Sequence, residues 1–424
     1  MLFVDRLFLS RVSMVHLSAA MAGGVTSFAI SVLFIGTVGY ANALVAQYFG
    51  ANRRSMCSRS VTQALFLGIA SYPILLAVIP VLRFLFIAVG QTEEQVGLAN
   101  QYVSILLAGS IMLVCRQAFV SFFIGIGKTR LALIAMISGM IANIPANYVL
   151  IFGKLGFSVL GVRGAALGTL FGNSISLLII LLAYMRTTRT DDFRSRDQWK
   201  LHRDLMKRLL RFGLPAGIES FLAVMAFNVF VQLMHSFGPD VAAAVTITFN
   251  WDLLAFVPMM GLGMATTALV GQHVGAGDHA GAEKSAFLAL RLGGVYAAIL
   301  TTLFLTATLP LVRLFARGFA DPSGNVERLA AILLRLASIY TVADATQLIF
   351  AGALRGAGDT VWIMRFSIVI HWVMAGAAII MVKLLHIGPI PVWCMFIAMI
   401  LSLGIVMVFR FRSGKWKEMK LIER

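Results

Sequence analysis

Along the 424 residues, stretches of 20 or more mostly apolar positions alternate with short polar connections. Each stretch is long enough to cross about 30 Å of hydrocarbon at about 1.5 Å per helical residue. They lie near 17–47, 60–88, 97–123, 131–152, 165–185, 212–236, 242–272, 286–314, 329–353, 361–384 and 390–409, eleven in all. Backbone amides in lipid must be satisfied within their own segment, so the pattern predicts helices and not strands. Leu2 to Leu9 is also apolar but broken by Asp5 and Arg6. It reads as the end of a further span, or as a short re-entrant or interfacial start.

The polar connections carry the topology. The longest, 186–211, holds nine basic residues and divides an N-terminal lobe, 1–185, from a C-terminal lobe, 212–411, followed by a basic tail, 412–424. With the Leu2–Leu9 fragment counted as span 1, 23 of the 35 Lys and Arg follow even-numbered spans. The positive-inside rule then places the 186–211 linker and the C-terminal tail in the cytoplasm.

Composition excludes a water-soluble protein: 59% of residues are apolar, 12% are charged, and the mean hydropathy is +0.89. The excess of 35 basic over 18 acidic residues fringes apolar segments. It therefore points to a phospholipid surface and not to nucleic acid. Cys57, Cys115 and Cys394 lie far apart, without a CxxC pair or histidines at metal spacing, and read as packing residues.

Two motifs recur. Ala43-Leu44-Val45-Ala46-Gln47-Tyr48-Phe49-Gly50-Ala51 returns as Ala268-Leu269-Val270-Gly271-Gln272-His273-Val274-Gly275-Ala276, 225 residues later. Gly125-Ile126-Gly127-Lys128-Thr129 returns as Gly356-Ala357-Gly358-Asp359-Thr360, 231 residues later. An even number of spans per repeat gives both the same orientation, so six plus six spans form two parallel halves. The same offset puts the start of span 1 roughly a dozen residues before Met1, and the expectation is that the first helix is truncated.

Four acidic residues fall inside spans: Asp5, Glu219, Asp252 and Asp344. Such a group costs about 2.5–3.5 kcal/mol at a helix centre on translocon scales, so it must face a wet cavity, pair, or hold a proton or cation. Glu219 lies one turn inside its span after Pro215, and Asp252 precedes Pro258, which permits a kink that the carboxylate can brace. Asp344 has Gln347 at i+3 on the same face. Asn143 and Asn147, one turn apart on span 5, either offer carbonyl oxygens to a cation or glue neighbouring helices. Arg116 in span 4 is a candidate ion-pair partner for a carboxylate. His371 in span 11 reads as a packing histidine before a proton relay. HExxH, GxSxG and P-loop patterns are absent, which argues against an enzyme, and no organic cofactor is expected.

Jointly, Ala43–Ala51 and Ala268–Gly277, Asn143–Gly153, Gly213-Leu214-Pro215 and Asp344–Thr360 make the chain resemble the multidrug and toxic compound extrusion (MATE) family along essentially its whole length. The resemblance implies an all-α integral membrane protein of twelve transmembrane helices, two parallel six-helix lobes around a central cavity. It implies secondary active export of cationic or amphipathic small molecules in exchange for Na⁺ or H⁺, by a monomer in a bacterial inner membrane. Asp5 matches the family's span-1 aspartate, Asp344 its span-10 aspartate and Asn143 its span-5 asparagine. Asn147 stands where some branches carry an aspartate. Glu219 lies one turn before the position, here Ala223, that holds glutamate in many members. The cation-coupling and substrate-binding candidates are therefore Asp5, Asn143, Asn147, Glu219, Asp252, Asp344 and Gln347. Na⁺ would be held by Glu219, Asp252 and Asp344 or by Asp5, Asn143 and Asn147. The alternatives are a lipid-linked oligosaccharide flippase of related fold, which needs a cavity lined by several Arg or Lys, and a non-transporting receptor or scaffold, which needs no intramembrane acids.

Overall fold

The structure, a computed structural model, describes residues 2–9, 11–88, 92–189, 192–193, 198–316 and 324–422. Arg194 and Arg196 of the basic linker lie outside these, as does the side chain of Arg6. The first half holds α1 (Leu2–Leu9), α2 (Met14–Gly39), α3 (Ala41–Gly50), α4 (Arg54–Ala88), α5 (Glu93–Ala108), α6 (Ser110–Gly125), α7 (Thr129–Phe152) and α8 (Val162–Thr188). The second holds α9 (Arg203–His235), α10 (Pro239–Gly275), α11 (His279–Thr306), α12 (Thr308–Ala316), α13 (Asn325–Ala357), α14 (Thr360–Ile379) and α15 (Pro389–Arg412). A π turn, Ile380–Leu384, prolongs α14, and a 3₁₀ turn, Lys415–Glu418, follows α15. No strand occurs among the described residues.

Among the described residues, ten helical segments are long and apolar enough to span a membrane, and the pair α5–α6 makes an eleventh. Two of the spans differ from the uninterrupted stretches read from hydropathy. The span expected over 97–123 is bent by 42° at Gly109, between α5 and α6. The span expected over 286–314 ends at Thr306, and a separate short helix, α12, follows. Helix also enters the polar linker from both sides, since α8 continues to Thr188 and α9 begins at Arg203.

The described chain forms two compact units, Met1–Phe221 and Leu222–Arg424, with the division inside α9. Close helix packing inside the first unit depends on small residues. A methyl group on Gly217 would lie 2.3 Å from the Leu33 carbonyl oxygen, so α9 runs backbone to backbone with α2 there. In the second unit, α10 and α13 meet in the same way through Gly263 and Gly352.

The repetition in the sequence is present in the backbone. Gly127 and Gly358, 231 residues apart, both adopt positive φ, +79° and +103°. In each case the next amide closes the helix end, Lys128 N–H onto Phe123 and Asp359 N–H onto Leu354. Asn52 and Gly277, 225 apart, are a second such pair at +59° and +80°. Leu155 and His386, again 231 apart, are a third at +56° and +50°. Both halves thus turn at equivalent places with equivalent hydrogen bonds, even where the residue types differ.

The segment after the last helix of each half folds back onto that half. Phe193 is buried, stacks on Phe49, meets Phe122 edge-on, and accepts a hydrogen bond at its carbonyl from Ser58 Oγ at 2.8 Å. In the second unit, Trp416 is fully buried, stacks on Phe411 at 5.1 Å and donates from Nε1 to the Phe411 carbonyl. Lys417 pairs with Glu283 at 2.6 Å, and Leu421 and Ile422 are buried as well. The ring pairs beneath these two residues also correspond: Phe119–Tyr184 and Phe350–Phe411 each lie 4.9 Å apart.

Candidate functional site

In the first unit the site is built around a carboxylate with no exposure to solvent. Asp5 sits in the middle of α1, where an apolar octet carries it into the interior. Its Oδ2 accepts from Thr169 Oγ1 at 2.7 Å and from Tyr102 Oη at 2.8 Å, and its Oδ1 accepts from Asn147 Nδ2 at 2.6 Å. Asn143 Nδ2 donates onward to Thr169 Oγ1 at 3.3 Å. Five side chains from α1, α5, α7 and α8 form one buried network. Three donors converge on one carboxylate, and hydrogen bonds to a charged acceptor are stronger than neutral ones.

Two acceptors in this network are unused. The amide oxygens of Asn143 and Asn147 are buried without a hydrogen-bond partner. Together with Asp5 they supply carboxylate and carbonyl oxygens, a hard donor set suited to an alkali cation and not to a soft transition metal. Among the described residues no group of three or more His, Cys, Asp or Glu has metal-binding geometry. The amide nitrogens of Asn143 and Asn147 tie helices together, and their oxygens make no hydrogen bond. Gly168 makes room for this arrangement, since a Cβ there would stand 2.1 Å from Asn147 Oδ1.

In the second unit, Tyr340 on α13 donates to Asp252 Oδ1 on α10 at 2.8 Å. Asp344 follows Tyr340 by one turn on α13, and α10 and α13 are the most extensively packed helices of the unit. Asp252 and Asp344 are half-buried and Tyr340 is buried. Pro258 does not end α10, which continues from Pro239 to Gly275, and Asp252 is braced by the tyrosine on the neighbouring helix. Gln347 is half-buried one turn beyond Asp344 and makes no contact with it through a hydrogen bond.

Glu219 is buried in α9, within the first unit, whereas Asp252 and Asp344 belong to the second. The ion pair expected for Arg116 is not formed: its Nε has no hydrogen-bond partner and no described carboxylate lies within ion-pair distance. Asp5 and Asp252 accept from neutral side chains instead. His371 shares its Nδ1 with the Ser367 carbonyl at 2.7 Å, as a packing histidine does.

Tyr102, Thr169 and Tyr340 enter the two constellations without having been singled out in the sequence. Tyr340 carried a usable signal, a tyrosine one helical turn before an intramembrane aspartate. Tyr102 and Thr169 carried none, because 97 and 164 residues separate them from Asp5.

Residues 1–149 and 215–376 both match the family model MatE. The probable multidrug resistance protein NorM of Thermotoga maritima is 27% identical over 433 residues, which cover 99% of this chain and 89% of that protein. The multidrug resistance protein MdtK of Pectobacterium atrosepticum is 30% identical over 411 residues, covering 93% and 87%. Among solved structures, a MOP superfamily transporter from Pyrococcus furiosus superimposes with a TM-score of 0.86 at 23% identity, over 98% of this chain and 92% of that one. The crystal structure of MATE in the straight conformation gives 0.85 at the same identity and coverage.

Proposed function

Because the chain belongs to the MatE family, we propose that it is a multidrug efflux transporter of the cell membrane, exporting cationic or amphipathic small molecules in exchange for Na⁺ or H⁺ by alternating access. The names of its relatives support export of drugs. The observation that carries the coupling step is the Asp5 network with its two unused amide oxygens.

Ion binding there is linked to helix packing. Ionised Asp5 draws donors from α5, α7 and α8 onto α1. A proton on Oδ2 would turn an acceptor of two hydrogen bonds into a donor. The hydroxyls of Tyr102 and Thr169 can rotate to accommodate it, while Asn147 keeps its hydrogen bond to Oδ1, which becomes a neutral and weaker acceptor. Na⁺ would be held by Asp5 with the oxygens of Asn143 and Asn147, and would supply charge neutralisation without breaking the donor set. In either case occupation changes how firmly α1 is held. A ligand moves a conformational equilibrium only by its differential affinity for the two states, and this linkage provides one.

Asp252 and Asp344 are carboxyl groups within the spans of the second unit, and Tyr340 donates to Asp252. In an interior of low dielectric such a group attracts a lipophilic cation when ionised and releases it when neutralised. Asp344→Asn is expected to abolish export of a fluorescent cation, and Asp5→Asn to abolish its dependence on the coupling ion, with both variants still inserted in the membrane. Export is measured in everted vesicles with and without Na⁺ across a range of pH. Undiminished export by Asp344→Asn, or unchanged ion dependence of Asp5→Asn, contradicts the reading.

A further inference from the structure

Asp252 and Asp344 stand on α10 and α13, and the short helix α12 is fastened to both of these helices. It exists because α11 cannot run on. Pro310 has no N–H to give the carbonyl of Thr306, and the Thr308 hydroxyl closes the end of α11 by donating to the carbonyl of Phe304. The same hydroxyl oxygen accepts from Arg335 Nε of α13 at 3.4 Å. Arg313 of α12 pairs with Glu327, in the first turn of α13, at 2.8 Å. Val312 is fully buried in the apolar core of the unit.

Toward α10 the attachment is a single side chain. Trp251 donates from Nε1 to the Leu311 carbonyl at 3.0 Å, and its ring meets Phe315 edge-on at 5.4 Å. A buried indole N–H needs an acceptor, and a main-chain carbonyl inside a helix cannot rotate to follow its donor as a hydroxyl does. The indole is thereby held in register with α12, and α10 with it. Trp251 immediately precedes Asp252. Successive helical residues point about 100° apart, so the rotation of α10 that seats Trp251 on α12 also turns Asp252 to α13, where Tyr340 donates to it at 2.8 Å. A side-chain tip lies about 5 Å from the helix axis. A turn of about 20° moves it by about 2 Å, enough to break either bond.

We propose that Trp251 is a positioning residue: anchored on α12, it holds α10 at the rotation that keeps Asp252 on Tyr340, one turn from Asp344, and so sets the affinity for the transported cation. The assignment rests on the reading of the chain as an exporter and adds to it a residue that acts without touching the cargo.

Initial rates of ethidium export into everted vesicles are fitted for KM and maximal rate. Trp251→Phe keeps a ring against Phe315 and removes the N–H. It is expected to raise KM about fivefold, the scale of one neutral hydrogen bond, with the maximal rate within about twofold. The decisive comparison is a double-mutant cycle with Tyr340→Phe, which takes away the bond that Trp251 is said to align. In that background Trp251→Phe is expected to change KM by less than about 1.5-fold. Dye binding to the purified protein gives the same cycle where export is too slow to fit. Phe315→Ala, which leaves α10 untouched, is expected to raise KM about threefold and carries the cycle should Trp251→Phe fail to insert. An equal effect in both backgrounds makes Trp251 a packing residue only and overturns the assignment, as does an unchanged KM or a fall in maximal rate alone; the exporter reading then stands. Wild type that does not move the dye removes the exporter reading, and this assignment with it.

Discussion

Gly168 shows how a residue without a functional group controls one that has it. Its missing side chain leaves room for the Asn147 amide, which in turn holds Asp5. Gly168→Ala puts a methyl group into that space and must displace the amide, because the alternative is to separate α7 from α8. The expected cost is about 1–3 kcal/mol, typical of overpacking. The measurement is thermal melting of the purified protein with and without Na⁺: the variant should melt lower and lose any stabilisation by the ion. A second residue-scale prediction concerns Asp278, the N-cap of α11. The backbone amide of Gly281, and then His273, hold its carboxyl below the usual carboxylate range. A depressed folded-state value means that the contribution is fully present above the ordinary carboxylate pKa of about 4 and fades as pH falls through the lowered one. Asp278→Ala should therefore expose the first turn of α11 to amide exchange at neutral pH, with the difference from wild type closing in strong acid.

Hydropathy located the spans because each must be long and apolar whatever it packs against, and the helices fall where those stretches lie. It could not show the bend at Gly109, since the residues on both sides of it are equally apolar and the break depends on what α5 and α6 meet. The candidate site divides along the same line. Asp5, Asn143, Asn147, Asp252 and Asp344 were legible because polar groups in lipid have to be explained. Their grouping was not, since Asn147 lies 142 residues from Asp5 and only the packing of α1 against α7 and α8 joins them. Arg116 was legible as an anomaly, but the ion pair expected of it is not formed, and Asp5 and Asp252 take neutral donors. At this scale Trp416→Ala is expected to lower the stability of the second unit by about 3–5 kcal/mol, the usual effect of emptying a buried aromatic site. Limited proteolysis at the end of α15 reads it directly: cleavage near Arg412 should accelerate in the variant, and an unchanged digestion pattern would show that the 3₁₀ turn is held by other contacts.

Two repeats of one plan, each ended by its own returning segment, make up the molecule. The equivalences run from motif to backbone angle to side chain: Gly127 with Gly358, Leu155 with His386, Phe119 with Phe350. The candidate site residues have no counterpart of the same type in the other half. The first unit keeps Asn143, Asn147 and Arg116, while the second carries Asp252, Tyr340 and Asp344. Charge distribution gives a test of orientation, since 23 of 35 basic residues follow even-numbered spans. A fluorescent reporter joined at the C-terminal side is expected to fold in the cytoplasm, and a periplasmic phosphatase joined there to stay inactive. Where such a reporter is joined matters because of Trp416. Trimming the chain back to Arg412 to shorten the junction would strip an indole, Leu421 and Ile422 from a greasy seat and bring a foreign barrel against it, whereas a junction beyond Ile422 leaves the seat filled.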